Sequence, residues 1–277
     1  MGALEDTKFL MDKYNIHPNK NLGQNFLIDE ESLNKIAENV SKEDTVVEIG
    51  PGLGTLTSIL LEKAKKVISI ELDPKMCEIL KDRFKLYNNF ELLNEDVLKI
   101  DFKELVKKEE RSNFKVVANL PYYITTSIIT KLIEEGVSDF TVLIQKEVAD
   151  RICATPGEKE AGAITYFVNY YAEATIIGNV SKECFIPNPK VESAIVNIKL
   201  LDKKRVKVDN EEIFFKLIKE NFTKRRKTIL NSLSSTIEKE KLIQILKELN
   251  IPENVRGETL TLQDFANIVN QYNKLIN

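Results

Sequence analysis

Four consecutive residues, Asn119-Leu120-Pro121-Tyr122, carry the most chemistry in this chain. They follow a short apolar run, Val116-Val117-Ala118, that reads as a buried strand. An Asn two residues before Pro-Tyr at a strand end suits one hard reaction, the attack of a planar amine on a methyl group. The lone pair of an adenine or amide NH2 is delocalised into its conjugated system, so the nitrogen is a poor nucleophile. An Asn carbonyl, helped by a main-chain carbonyl fixed beside a proline, can accept both amine protons and favour a tetrahedral nitrogen. A neighbouring Tyr can stack on the base. The same tetrapeptide also fits a plain X-Pro turn after a strand, so its setting must decide.

That setting is an alternation of strands and helices. Apolar runs predict strands at 45–49, 67–70, 90–93, 115–118 and 140–144. Helical spacing predicts helices at 30–40, 55–64 and 125–134, and one starting at Pro74, a favoured first-turn residue. Such alternation implies a mostly parallel, doubly wound α/β sheet of Rossmann type. Past residue 162 the pattern changes. Segments 164–172 and 191–200 read as long strands joined by a loop holding Pro187 and Pro189, an antiparallel edge to the sheet. Helices are then expected at 211–221, 224–233, 237–249 and 262–275, the last opened by a Thr261/Asp264 cap. The expected organisation is a sheet domain over 1–202 and a small all-α domain over 203–277.

In an open α/β sheet, ligands bind at the carboxyl ends of the strands. Three features fall there ahead of the tetrapeptide. Glu48-Ile49-Gly50-Pro51-Gly52-Leu53-Gly54 is a glycine-rich turn that lets the backbone approach a ligand closely. Its glycine spacing lacks the third-glycine offset of the dinucleotide fingerprint, and Pro51 removes an N–H that a pyrophosphate would want. Glu71, at the next strand end, can accept from both hydroxyls of a ribose, with Asp73 its nearby rival. In Asn94-Glu95-Asp96-Val97, Asp96 can accept from an adenine amine while the Val97 N–H donates to the ring. Together these describe a nucleoside cofactor without phosphates, its reactive group aimed at an amine pocket.

Composition narrows the remaining classes. The chain has 277 residues, 43% hydrophobic and 30% charged, with a net charge of −3. No apolar run approaches the roughly 20 residues of a membrane span, and the N-terminal segment lacks the apolar core of a signal peptide, so a cytoplasmic protein is expected. Cys77, Cys153 and Cys184 are odd in number and far apart, which points to buried thiols rather than a disulfide framework or a zinc site. His17 is the single histidine, which argues against His-based catalysis and a His-ligated metal. The acidic total hides a basic stretch. Between Lys203 and Asn231 stand ten Lys/Arg against four Asp/Glu, as a phosphate-binding face requires.

At this point the chain resembles the ribosomal RNA adenine dimethyltransferase family over roughly residues 15–275. The resemblance rests on the segments Asn21-Leu22-Gly23-Gln24-Asn25-Phe26-Leu27, Val47 to Gly54, Ile70-Glu71-Leu72-Asp73, Glu95-Asp96-Val97 and Asn119-Leu120-Pro121-Tyr122. It continues in Gln145-Lys146-Glu147-Val148-Ala149, in Phe185 to Val191 and in Phe222-Thr223-Lys224-Arg225-Arg226-Lys227-Thr228. The match is closest to the family's bacterial small-subunit branch. It implies a class I methyltransferase fold with S-adenosylmethionine held at Asn25, Leu27, Gly50, Glu71, Asp96 and Asn119. It also implies that Asn119 and the Leu120 carbonyl hold the target amine beside Pro121, with Tyr122 and Phe185 stacking on the two faces of a flipped adenine. Lys224, Arg225, Arg226 and Lys227 would grip RNA. The implied substrate is a pair of adjacent adenines in a hairpin loop near the 3′ end of small-subunit ribosomal RNA, within a 30S precursor. No metal, no membrane and a monomer are expected. A large-subunit adenine methyltransferase conferring antibiotic resistance, and a ribosome-assembly factor without turnover, stay open as alternatives.

Overall fold

A computed structural model describes residues 2–19, 23–106, 114–224 and 226–276. The chain forms two compact units, Met1–Ala149 with Thr175–Leu200, and Asp150–Ala174 with Leu201–Asn277. The passage from the first unit to the second at Leu200 lies close to the division read from the sequence. The difference is segment 150–174, which groups with the C-terminal helices.

The strands are β1 (Phe26–Leu27), β2 (Thr45–Ile49), β3 (Lys66–Glu71), β4 (Phe90–Asn94), β5 (Phe114–Asn119), β6 (Asp139–Gln145), β7 (Ala172–Val180), β8 (Phe185–Ile186) and β9 (Ser193–Leu200). Seven of them form one sheet in the order β4-β3-β2-β5-β6-β9-β7. Pairings among β4, β3, β2, β5 and β6 are parallel, and β9 runs antiparallel to β6. The central strands are near-continuous Val/Ile runs, as strands covered on both faces must be; all five residues of β2 are buried. Register levels the carboxyl ends: Ile49 pairs with Ile70 and Ala118, and Glu71 pairs with Asn94. The loops that follow therefore meet along one edge of the sheet, where ligands bind in such folds.

Helices of this unit are α1 (Ala3–Lys13), α2 (Glu30–Ile36), α3 (Thr55–Lys63), α4 (Pro74–Arg83), α5 (Phe102–Leu105), α6 (Thr125–Glu134) and α7 (Lys146–Cys153), the last running on into the second unit. Asp73 caps α4, its carboxylate accepting from the Lys75 N–H at 2.9 Å, with Pro74 in the first turn. Helix α1 lies in a stretch the sequence reading left unassigned. Leu10 packs it against Leu53, Met76 and Ile79, and polar contacts tie it further: Asp6 pairs with Arg83 of α4, and just past the helix Tyr14 Oη donates to Asp82 at 2.6 Å. Strands β1 and β8 form a separate two-stranded pair, Leu27 opposite Phe185.

The second unit holds α8 (Ala163–Tyr171), α9 (Glu211–Thr223), α10 (Ile229–Leu233), α11 (Lys239–Glu248) and α12 (Leu262–Ile276). Helix α8 corrects the strand expected at 164–172. Its Ile, Thr, Tyr, Phe and Val residues favour strands by type, but Tyr166 and Tyr170, four apart, lie on one face and are buried in the aromatic core of this unit. Tyr166 meets Phe265 edge-on at 5.4 Å, and Tyr170 packs on Phe214 at 5.2 Å. The Gly162 N–H, donating to Thr165 Oγ1 at 2.8 Å, starts the helix. The helix expected at 224–233 is shorter, because Lys224 ends α9 and Thr228 caps α10.

Gly54, at φ +85, opens α3, and a Cβ there would sit 2.6 Å from the Phe84 ring and 2.9 Å from Leu80. Gly54→Ala combines left-handed strain with overpacking. It is expected to cost about 2–4 kcal/mol, read as a lower urea midpoint at unchanged slope.

Candidate active site

One pocket on the first unit gathers the loops at the carboxyl edge of the sheet. Asn25, Leu27, Gly50, Glu71, Asp96, Asn119, Leu120, Pro121 and Tyr122 all line it. Its wall also carries Glu48 and Glu95, so among the described residues its charged lining is four acids and no Lys or Arg. A pyrophosphate would be repelled there, whereas a cationic nucleoside would be favoured.

The glycine-rich loop is held from behind. Gly52 is left-handed at φ +55, and a Cβ on it would press into the Phe26 ring at 3.2 Å. Its N–H donates to Glu71 Oε2 at 3.2 Å, while Glu71 Oε1 accepts from the Asp73 N–H at 2.8 Å. Glu71 is thereby fixed with lone pairs left for ligand hydroxyls. Burial pushes its carboxyl above the ordinary value, against the pull of those N–H donors. Asp73 is occupied otherwise. Besides capping α4 it accepts from Gln24 Nε2 at 3.0 Å, and it does not line the pocket. Asp96 caps the short turn Val97–Lys99 through the Leu98 N–H at 2.9 Å. Arg83 braces the loop on its outer side, donating to the Leu53 carbonyl at 2.8 Å and to Ser58 Oγ at 2.9 Å.

Glu48 is the residue whose role the sequence reading passed over. It is 1% exposed, and its Oε2 accepts from Thr57 Oγ1 at 2.6 Å and Ser69 Oγ at 2.8 Å. Its Oε1 is buried with no donor among the described residues. Burial, above all, pushes its carboxyl up to about 7, with the nearby Glu71 charge adding to the rise. The available signal was a single Glu inside an otherwise apolar central strand.

The tetrapeptide is fixed on both sides. Asn119 Nδ2 donates to the Asn25 main-chain carbonyl at 3.1 Å, which engages one of the amide's two N–H groups and orients Oδ1 as the acceptor. The Leu120 N–H donates to the Leu143 carbonyl at 3.0 Å, and the Pro121 carbonyl accepts from Thr125 Oγ1 at 3.0 Å. The Leu120 carbonyl has no donor among the described residues. Tyr122 is half-buried, and its hydroxyl meets Ser193 Oγ at 2.6 Å. Tyr123, next along, is 56% exposed and also lines the pocket.

Phe185 is a correction. The resemblance put it against the base, but it is 1% exposed and packs among Leu33, Ile36 and Leu27 in the core. It does not line the pocket; it anchors β8 beneath β1. In the second unit, Lys224 Nζ is engaged within the fold, donating to Ser235 Oγ at 2.7 Å and to the Ser232 carbonyl at 3.2 Å. Arg226 and Lys227 are exposed, and Arg225 lies outside the described residues, as do Asn21 and Leu22. Among the described residues no group of three or more His, Cys, Asp and Glu is placed to hold a metal.

A doubly wound sheet that brings a glycine-rich turn, a ribose-type carboxylate and an Asn-Leu-Pro-Tyr clamp to one edge defines a class of methyltransferases acting on planar amines. The chain matches the family described as Ribosomal RNA adenine dimethylase over residues 15–274, and it belongs to that family. It is 48% identical over 268 residues to the Ribosomal RNA small subunit methyltransferase A of Clostridium botulinum (strain Loch Maree / Type A3), covering 95% of this chain and 97% of that protein. It is 45% identical over 282 residues to the protein of the same name from Alkaliphilus oremlandii (strain OhILAs), covering 99% and 98%. Among solved structures it is similar to a dimethyladenosine transferase from Plasmodium falciparum, with a TM-score of 0.74 and 28% identity over 90% of this chain and 97% of that one. The 23S rRNA methyltransferase ErmE shares the fold, at a TM-score of 0.68 and 23% identity over 90% and 100%.

The Glu48 carboxyl gives a testable pH dependence. With an unfolded value of 4.5 and a folded value of about 7, the native state keeps a proton that the unfolded chain has lost. Stability from this group is therefore present below 4.5 and is lost as pH rises through 7. Glu48→Gln keeps an acceptor for Thr57 and Ser69 and removes the titration. The ligand-free variant is expected to exceed the parent in stability at pH 8, by up to about 3 kcal/mol. That gap should close toward pH 4.5 in urea melts across the range.

Proposed function

We propose that this chain dimethylates the exocyclic amines of two adjacent adenines in a hairpin loop near the 3′ end of small-subunit ribosomal RNA, as a step in small-subunit biogenesis. The observation that carries the reading is the pair of carbonyl acceptors at the strand end, Asn119 Oδ1 and the Leu120 oxygen. The first is oriented by the Asn119 Nδ2 donation to the Asn25 carbonyl, and the second has no donor among the described residues.

The cofactor is S-adenosylmethionine. The pocket fits it: Glu71 offers carboxylate oxygens to a ribose, Asp96 stands where an adenine amine can donate, and the acidic wall with its orphaned Glu48 oxygen suits a cation. When bound, the cofactor supplies a methyl group on a positively charged sulfur, so its leaving group needs no proton. The protein's task is then geometry. Asn119 and Leu120 accept the two amine protons and direct the nitrogen lone pair toward the methyl carbon. Tyr122 supports the base in its flipped position. The methylated nitrogen is cationic and releases a proton to water, so a chain whose one histidine is His17 suffices. After one transfer the amine still bears a proton, and the same clamp can act again.

Near-full-length relatives at 45–48% identity carry the small-subunit name, whereas the large-subunit ErmE, at 23%, bears on the fold alone. This favours the small-subunit substrate over the antibiotic-resistance alternative. Both acceptors are in place, which favours turnover over a purely structural assembly role. The exposed Arg226 and Lys227 support RNA contact by the second unit. No helix among the described residues is long and apolar enough to cross a membrane, which accords with action on ribosomal subunits in the cytoplasm.

The deciding experiment incubates the protein with undermethylated small subunits and maps the modified bases; two adjacent N6,N6-dimethyladenines are expected. Asn119→Ala should lower transfer by at least about 100-fold while subunit binding changes by no more than a few-fold. Near-parental turnover would refute the clamp. Replacing Arg226 and Lys227 with Ala should weaken subunit binding and make its salt dependence shallower by about two counterions, with cofactor binding intact by calorimetry.

A further inference from the structure

Ser193 is fully buried at the first position of β9, and its hydroxyl is 2.6 Å from that of Tyr122. The antiparallel register pairs Ser193 with Gln145 at the end of β6. Two positions back on β6, the Leu143 carbonyl takes the Leu120 N–H. One strand pair therefore sets two parts of the site. Leu143 fixes the peptide that presents the amine acceptor, and Ser193 ties down the far end of the ring one residue past Pro121. The main chain continues the pairing, with the Lys146 N–H on the Glu192 carbonyl at 2.9 Å.

Tyr122 lies in a short turn, Tyr122–Ile124, that no side chain caps. Without its hydroxyl contact the ring would be free to swing about the Cα–Cβ bond. With both ends fixed, the ring's long axis is set before substrate arrives. We propose that Ser193 is a positioning residue for methyl transfer: it acts through Tyr122, holding in place the ring on which the target adenine stacks. The proposal rests on the reading of the pocket given above and extends it to a residue that touches neither cofactor nor base. Its role is sharpest in the second transfer, where a monomethylated amine must turn its methyl aside while the ring keeps the base in place. A loosened Tyr122 then lets the intermediate leave before the second methyl is added.

The test compares Ser193→Ala, Tyr122→Phe and the double variant on undermethylated small subunits, separating mono- from dimethyladenine. Each single variant is expected to lower kcat about tenfold or more and to release monomethyl product. The double variant should be no worse than either, because both changes cut the same link. Cofactor affinity and subunit KM should stay near parental values, which a general loss of fold would not allow. Ser193→Thr keeps a hydroxyl and should restore most of the dimethyl product; it carries the test if the Ala variant folds poorly. Parental kcat and product ratio in Ser193→Ala would overturn the proposal, and so would losses that multiply in the double variant. If the parent protein itself leaves the subunits unmethylated, the functional reading fails instead, and the two failures are thus distinct.

Discussion

The structure turns on a single hydrogen bond, from the Asn119 side-chain amide to the Asn25 main-chain carbonyl at 3.1 Å. An Asn amide offers a donor end and an acceptor end, and only the acceptor end can draw a proton from an amine. The bond to Asn25 decides which end faces the pocket. Much else serves that decision. Strand β5 delivers Asn119 to the level of the neighbouring strand ends, and β1 holds the Asn25 segment by pairing with β8. Phe185 contributes here, packed in the core beneath Leu27 rather than against the base.

Electrostatics does the rest. The pocket is acidic, and Glu48 is buried with one oxygen that lacks a donor among the described residues, an arrangement that costs stability. Glu71 and Gly52 form a second closed unit, in which the carboxylate orders the loop that must approach the ligand. The Arg83 bridge ties that loop to α1 through Asp6, so the N-terminal helix and the cofactor loop share one brace.

The sheet was legible because most of its parallel strands are short apolar runs rich in Val and Ile, and the expected strand 45–49 matches β2 residue for residue. Much of the pocket wall was legible for the same reason, since Gly50, Glu71, Asp96 and Asn119 lie at or just past strand ends, whereas Asn25 and Leu27 entered through the resemblance alone. The strand expected at 164–172 is helix α8 because Ile, Tyr, Phe and Val favour strands in isolation, while burial of Tyr166 and Tyr170 in a helical core depends on partners 40 to 100 residues away. Phe185 was misplaced because a motif shows proximity to a site but not which way a ring points. Ser193 and the Glu48 environment were invisible for a related reason. A hydroxyl or carboxyl acquires its meaning from partners on other strands, and no local pattern marks them.

The account stands most directly on the Asn119–Asn25 link, and Asn119→Asp isolates it. The substitution keeps an acceptor and nearly the same shape but replaces the donor with an oxygen that the Asn25 carbonyl repels. Single-turnover methyl transfer to undermethylated small subunits, at saturating cofactor, should fall by about 100-fold or more while cofactor still binds. A rate within a few-fold of the parent would mean that an acceptor alone suffices and that the Asn25 contact does not set the geometry of the site.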